Sequence, residues 1–192
     1  GDDKTGISVF ERVLSQKALN RKDRAYTHFQ IMEAYKNLGN HAARKAWAHR
    51  LARADVERED QLKAKQFIFS AGNDEAKALQ DAGKFDEAGD AYARLAVMNP
   101  DHESAPDAML VAARMFEQAD KKGKAAQTYE RFYYTYPDYK DASGGTALDA
   151  LEGAAALYGE LGDYRHTADA VERILTAKPE HKKRKLYLNN LA

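Results

Sequence analysis

The sequence predicts an all-α chain built as a stack of antiparallel helix hairpins, and three observations predict it. First, Asp81 to Pro100, DAGKFDEAGDAYARLAVMNP, carries a skeleton of Gly83, Phe85, Ala88, Tyr92, Leu95 and Pro100. Second, the skeleton returns as Lys122, Ala125, Tyr129, Phe132 and Pro137, and again as Gly162, Tyr164, Thr167, Val171, Ile174 and Pro179. Third, the prolines at 100, 137 and 179 recur at the period of a helical-hairpin repeat. Each skeleton position has a physical role. Glycine supplies a left-handed turn, the small residue lets two helices approach to about 8–10 Å, the aromatic fills the groove left open, and proline stops the helix.

In chain order, Ile7, Phe10, Val13 and Leu14 have three-to-four spacing, which predicts an amphipathic helix from Thr5 to Leu19. It reads as a half repeat over residues 5–20. Asn20 and Asp23 are candidate caps for a helix from Arg21 to Leu38, ended by Gly39-Asn40. A basic helix from His41 to Val56 completes the first hairpin, 21–56. Residues 57–100 form the second: one long helix from Glu57 to Ala82, or two broken near Ser70–Asn73, then Phe85 to Met98. In the third, 104–137, Ser104 is a candidate cap, Asp120 stands where glycine is usual, and a helix runs from Lys124 to Tyr134. Asp138 to Thr146, DYKDASGGT, is a loop insertion that widens the repeat spacing. The fourth, 147–179, pairs Ala147–Gly162 with Tyr164–Ala177, and 180–192 is a polar end-cap with Leu186, Leu188 and Leu191. The whole, 1–192, reads as one solenoid domain cut from a longer protein.

Charged residues make up 31% of the chain and hydrophobic residues 44%, enough to fold and remain well solvated. Lys plus Arg equals Asp plus Glu at 30 each, so a general nucleic-acid or membrane-surface binder is not expected. No apolar run approaches the roughly 20 residues of a membrane span. Without cysteine there is no disulfide, thiolate metal site or Cys nucleophile.

The recurring skeleton resembles the tetratricopeptide (TPR) family, which implies a right-handed α-solenoid superhelix acting as a protein-binding scaffold. Residues 85–140 and 147–180, with AGKFDEAGDAYARLAVMNPDHESAPDAML and YERFYYTYPDYKDA, further resemble TPR scaffolds of the Gram-negative envelope. These include a Tol-associated periplasmic protein and a lipoprotein of outer-membrane β-barrel assembly. That resemblance implies a periplasmic or envelope-associated setting, with the cytoplasm as the alternative. In TPR proteins the first helix of each hairpin lines a concave groove. Carried over by register, the groove positions are Tyr26, Phe29, Glu33, Lys36 and Asn37; Ser70, Asn73, Lys77, Gln80 and Asp81; Asp107, Leu110, Arg114, Glu117 and Gln118; and Asp149, Glu152, Ala156, Gly159 and Glu160. Acidic residues stand where chaperone-binding relatives use Lys and Asn, so a basic or mixed peptide is the expected guest.

No catalytic constellation is present in the sequence. Six histidines form no HExxH motif and read as surface residues, Ser143-Gly144-Gly145 reads as a loop, and there is no GxSxG. No cofactor or metal is expected, and the chain reads as a non-enzyme. Two further surfaces stand out. Arg44, Lys45 and Arg50 surround Trp47, which reads as a solvated basic face, or as a second docking patch for an acidic partner if Trp47 is exposed. The aromatic run Phe132-Tyr133-Tyr134 is a candidate for self-association, and a small-ligand sensor remains an alternative to the scaffold.

Overall fold

The structure, a computed structural model, describes residues 3–182, 184 and 185. The expected end-cap leucines lie outside the described residues, as does Lys183 of the same segment. The described residues are all-α, as the repeat predicts, with an isolated β-bridge between Lys140 and Thr146. The chain falls into two compact units, Gly1–Ala78 and Leu79–Ala192.

In the first unit, helix α1 (Asp3–Leu14) packs on α2 (Arg21–Asn37), and α2 on α3 (His41–Arg53). Helix α1 stops earlier than its pattern suggests, because the Ser15 hydroxyl turns back to the Arg12 carbonyl at 2.7 Å. The Asn20 side chain caps α2, accepting from the Asp23 N–H at 2.8 Å. Gly39 takes the left-handed conformation at φ 64°, and the Asn40 side chain caps α3 through the Ala43 N–H. Helix α3 ends at Arg53 because Ala54 is extended; Val56 is buried from a turn instead of from the helix. Ile31, Met32, Ala48 and Leu51 form the dry centre, with Ile68 and Phe67 from α4 (Arg58–Asp81). Helix α4 is continuous through Ser70–Asn73. Ala71 and Gly72 are both buried there, so packing offsets the roughly 1 kcal/mol helix penalty of glycine.

The second unit holds α5 (Phe85–Met98), α6 (Ala105–Gln118), α7 (Lys122–Thr135), α8 (Ala147–Glu160) and α9 (Tyr164–Ala177), each packed on the next. All three hairpin turns use one left-handed residue: Gly83 at φ 72°, Asp120 at φ 57° and Gly162 at φ 72°. Aspartate manages this because its short polar side chain tolerates the left-handed region better than most. Gly123, near that turn, lies inside α7, which begins at Lys122. Ser104 precedes α6 without making a side-chain cap.

The close approach of α5 and α6 rests on Gly89 as well as on Ala88. A Cβ at Gly89 would come within 2.7 Å of the Phe116 ring, which is itself buried. Tyr92 and Tyr129 repeat one tie in successive hairpins. Each donates its hydroxyl twelve residues back to the preceding helix, to Gln80 at 3.3 Å and Glu117 at 2.6 Å. Tyr158 of α8 donates to Glu130 of α7 at 2.7 Å, so neighbouring hairpins are pinned by polar as well as apolar contact.

Candidate functional site

Helices α6 and α8 present residues at three-to-four spacing to a common open cleft of about 370 Å³. From α6 come Leu110, Arg114 and Glu117; from α8 come Asp149, Ala150, Gly153, Ala156, Leu157 and Glu160. The hollow exists because α8 carries Ala150, Gly153 and Ala156 where larger side chains would fill it. The Tyr129 ring lies against α8 beside Gly153.

The loop from 136 to 146 forms one wall. Its rings are anchored on Phe132, which is fully buried and meets Tyr136 at 5.5 Å and Tyr139 at 5.0 Å between centroids. The Tyr139 hydroxyl donates to Asp107 Oδ1 at 2.6 Å. Asp141 Oδ1 accepts from the Ser143 N–H and hydroxyl and from the Gly145 N–H, all within 2.8 Å. A Cβ at Gly145 would lie 2.5 Å from Asp141 Oδ2, so this turn needs glycine there. Thr146 donates its N–H and hydroxyl to Asp149 Oδ2 at the start of α8.

Electrostatics keep the walls in place. Burial, then the Asp107 bond, pushes the Tyr139 phenol up to about 12. Burial and the Glu117 carboxylate raise Tyr129 further, although Arg114 opposes them. Both phenols therefore remain protonated donors near neutral pH. The Ser143 hydroxyl and loop N–H groups hold Asp141 below its usual value. At Asp149, burial pulls upward, but the Thr146 bonds and two lysines outweigh it and the net direction is down.

The chain is similar to solved TPR-repeat structures. The nearly identical TPR-like repeats of a Podosopora anserina chain described as kinesin light chain share 15% identity, over 95% of this chain and 90% of that one, at a TM-score of 0.42. The TPR domain of P58(IPK) shares 16% identity over all of this chain and 50% of its own length, at 0.39. BtubC from P. vanneervenii shares 14% identity over 98% and 78%, at 0.43. No family model and no curated protein matches the chain.

Of the groove residues expected from the sequence, Arg114, Glu117, Asp149, Ala156 and Glu160 line the cleft together. Asp107 is tied to the cleft wall through Tyr139. Glu152 is a correction. Its carboxylate lies 2.7 Å from His181 Nε2, and both side chains are largely buried, so Glu152 anchors the segment after α9. His181 is accordingly no surface histidine. In the first unit Tyr26, Glu33 and Lys77 are exposed and Asn73 is half-buried. Phe29 packs on Phe67 at 5.5 Å, so it serves the core. Tyr129, Tyr139, Asp141 and Gly145 line the cleft without having been singled out as site residues. The Asp-x-Ser-Gly-Gly pattern was their one sequence signal, since aspartate followed by Ser and Gly favours a self-bonded turn.

The basic helix is the second correction. Trp47 is buried at 7% exposure, so it cannot anchor a partner. Arg44, 4% exposed, reaches Asp74 at 2.7 Å and lies over the Phe67 ring. Lys45 is paired with Glu75, and the Arg50 guanidinium covers the Trp47 ring at 4.3 Å. These cations hold α3 onto α4 and shield its tryptophan. In the aromatic run, Phe132 is core and Tyr134 is 50% exposed beneath the Arg173 guanidinium.

His28 is buried too, against the surface reading. Its ring stands edge-on to Trp47, and Nδ1 lies 2.8 Å from the Arg24 carbonyl. That geometry suits a neutral ring donating from Nδ1. Burial lowers the pKa of His28 below 6.5, with repulsion from Arg24 and Arg50 adding to it and the carbonyl bond opposing. Below pH 6.5 the unfolded chain therefore binds the proton that the fold refuses, so stability falls with acidification. His49, lowered by burial, Arg53 and Lys45, acts in the same direction. Stability from urea unfolding at about pH 7.5 and 5.5 should drop by at most about 1.4 kcal/mol per pH unit per histidine, and His28→Gln should flatten that slope.

Proposed function

We propose that this chain is a non-enzymatic scaffold that holds a segment of a partner protein in the cleft between α6 and α8. The observation that supports it most is that the cleft is preformed. Tyr129, Tyr139, Asp141 and Asp149 fix its walls by internal hydrogen bonds, so a bound segment orders itself while the scaffold loses little. Its rim is open, with Arg114, Glu117, Asp149, Ala156 and Glu160 all exposed, which suits an extended chain better than an enclosed small ligand. The chain acts as one interaction domain, as the continuous repeat predicts. Its setting is a bacterial cell-envelope complex, carried by the sequence resemblance of residues 85–140 and 147–180 to envelope scaffolds. No helix among the described residues is long and apolar enough to cross a membrane.

A photo-crosslinking amino acid at Ala156, within the cleft, tests this in cells of the source organism. Tyr164, 76% exposed and outside the cleft, serves as the control position. The expected result is a discrete adduct from Ala156 that Tyr164 does not give. Adducts from Tyr164 alone would overturn the cleft as the binding site, and adducts only to cytoplasmic proteins would overturn the envelope setting.

A further inference from the structure

The cleft floor is apolar, formed by Leu110, Ala150, Gly153 and Leu157, while its rim carries four carboxylates against one guanidinium. The carboxylates are those of Glu117, Asp141, Asp149 and Glu160, and the cation is Arg114. Each carboxylate has one oxygen bound within the protein. Glu117 Oε1 accepts from Tyr129, Asp141 Oδ1 from the loop, Asp149 Oδ2 from Thr146, and Glu160 Oε2 pairs with Lys122 at 3.0 Å. The groups are thus oriented before any guest arrives.

Among the described residues no three acidic or histidine side chains converge closely enough to hold a metal ion. The negative charge is instead spread along an open apolar channel. A single small cation cannot satisfy charges so distributed, whereas a chain with several cationic side chains can. An acidic segment would meet repulsion from the rim carboxylates, although Lys122 offsets Glu160 and Lys178 and Lys182 lie near Asp149, and like charges so juxtaposed suppress a wrong partner. A purely apolar segment would desolvate the carboxylates without replacing their water.

Resting on the scaffold reading, we infer that the guest of this cleft is an extended basic segment of a partner protein, with Lys or Arg side chains meeting the rim and a small aliphatic residue on the floor. Arg114 then acts as a selectivity device. It repels cationic residues at the α6 end and directs them toward Asp149 and Glu160 on α8.

The test is selection of random peptides of about twelve residues, long enough when extended to cross the cleft, on the immobilised full chain. Selected peptides are then measured by fluorescence anisotropy against wild type, Glu117→Gln/Glu160→Gln and Arg114→Gln. These substitutions remove charge while nearly keeping side-chain size, and the amide introduced by Glu117→Gln can still accept from Tyr129. The expected result is enrichment of Lys and Arg, with binding weakened about tenfold by the double variant, strengthened several-fold by Arg114→Gln, and reduced by salt. Peptides that bind the cleft without charge preference, or acidic peptides favoured by Arg114, would overturn this inference and leave the scaffold reading standing. Failure to select any peptide whose binding is lost when Ala156→Arg fills the cleft would overturn both.

Discussion

Phe132→Ala should destabilise the second unit by about 3–5 kcal/mol, the usual range for truncating a fully buried phenylalanine. The site has little means of collapsing, because the ring is fully buried and both Tyr136 and Tyr139 rest on it. The consequence extends beyond stability. Tyr139 carries the hydroxyl bond to Asp107, and the loop that follows supplies Asp141 and Gly145 to the cleft wall. Losing the Phe132 ring therefore removes the support from that wall. Urea denaturation followed by circular dichroism gives the first quantity, and amide hydrogen exchange across 136–146 gives the second. Phe132→Leu, which keeps much of the apolar volume, should cost less and leave the loop better protected. An unchanged exchange rate in the loop with a large loss of global stability would separate the core role of Phe132 from its role in positioning the cleft.

How much of this was legible depended on how local the cause was. The hairpin turns were readable at Gly83 and Gly162, where φ is positive and only a few residue types are comfortable. On α6 and α8 the positions came from the resemblance to TPR repeats, carried over by register, and Arg114, Glu117, Asp149, Ala156 and Glu160 lie along one cleft. The loop was visible as an insertion, yet its role was not. What makes it a wall is Tyr139 reaching Asp107, thirty-two residues away, and no local rule encodes that distance.

Burial of polar residues was the least legible feature. His28, Arg44 and His181 look solvent-seeking in sequence, and each is buried against a distant or backbone partner. Glu152 was misplaced for the same reason: its helical position faces outward until the chain returns after α9 and covers it with His181. One signal was available. Arg44–Asp74 and Lys45–Glu75 share the same separation of thirty residues, so consecutive cations on α3 match consecutive acids on α4.

That reading of the basic helix has a sharp energetic consequence. Asp74→Ala leaves the Arg44 guanidinium buried without its carboxylate, and its Nε already makes no hydrogen bond. Breaking a fully buried pair costs about 3–5 kcal/mol; since Asp74 keeps about a third of its side chain in water, about 2–3 kcal/mol is expected. Replacing both partners by apolar residues, Arg44→Met with Asp74→Leu, should recover most of that loss, because the desolvation of the guanidinium disappears with its charge. The double-mutant cycle is measured by urea unfolding of the full chain, with hydrogen exchange in α3 and α4 locating the effect. A docking surface gives the opposite pattern: Asp74→Ala would leave stability intact, and Arg44→Met would alter only partner binding. With Trp47 buried beneath Arg50, the helix has no exposed anchor on which such a surface could be built.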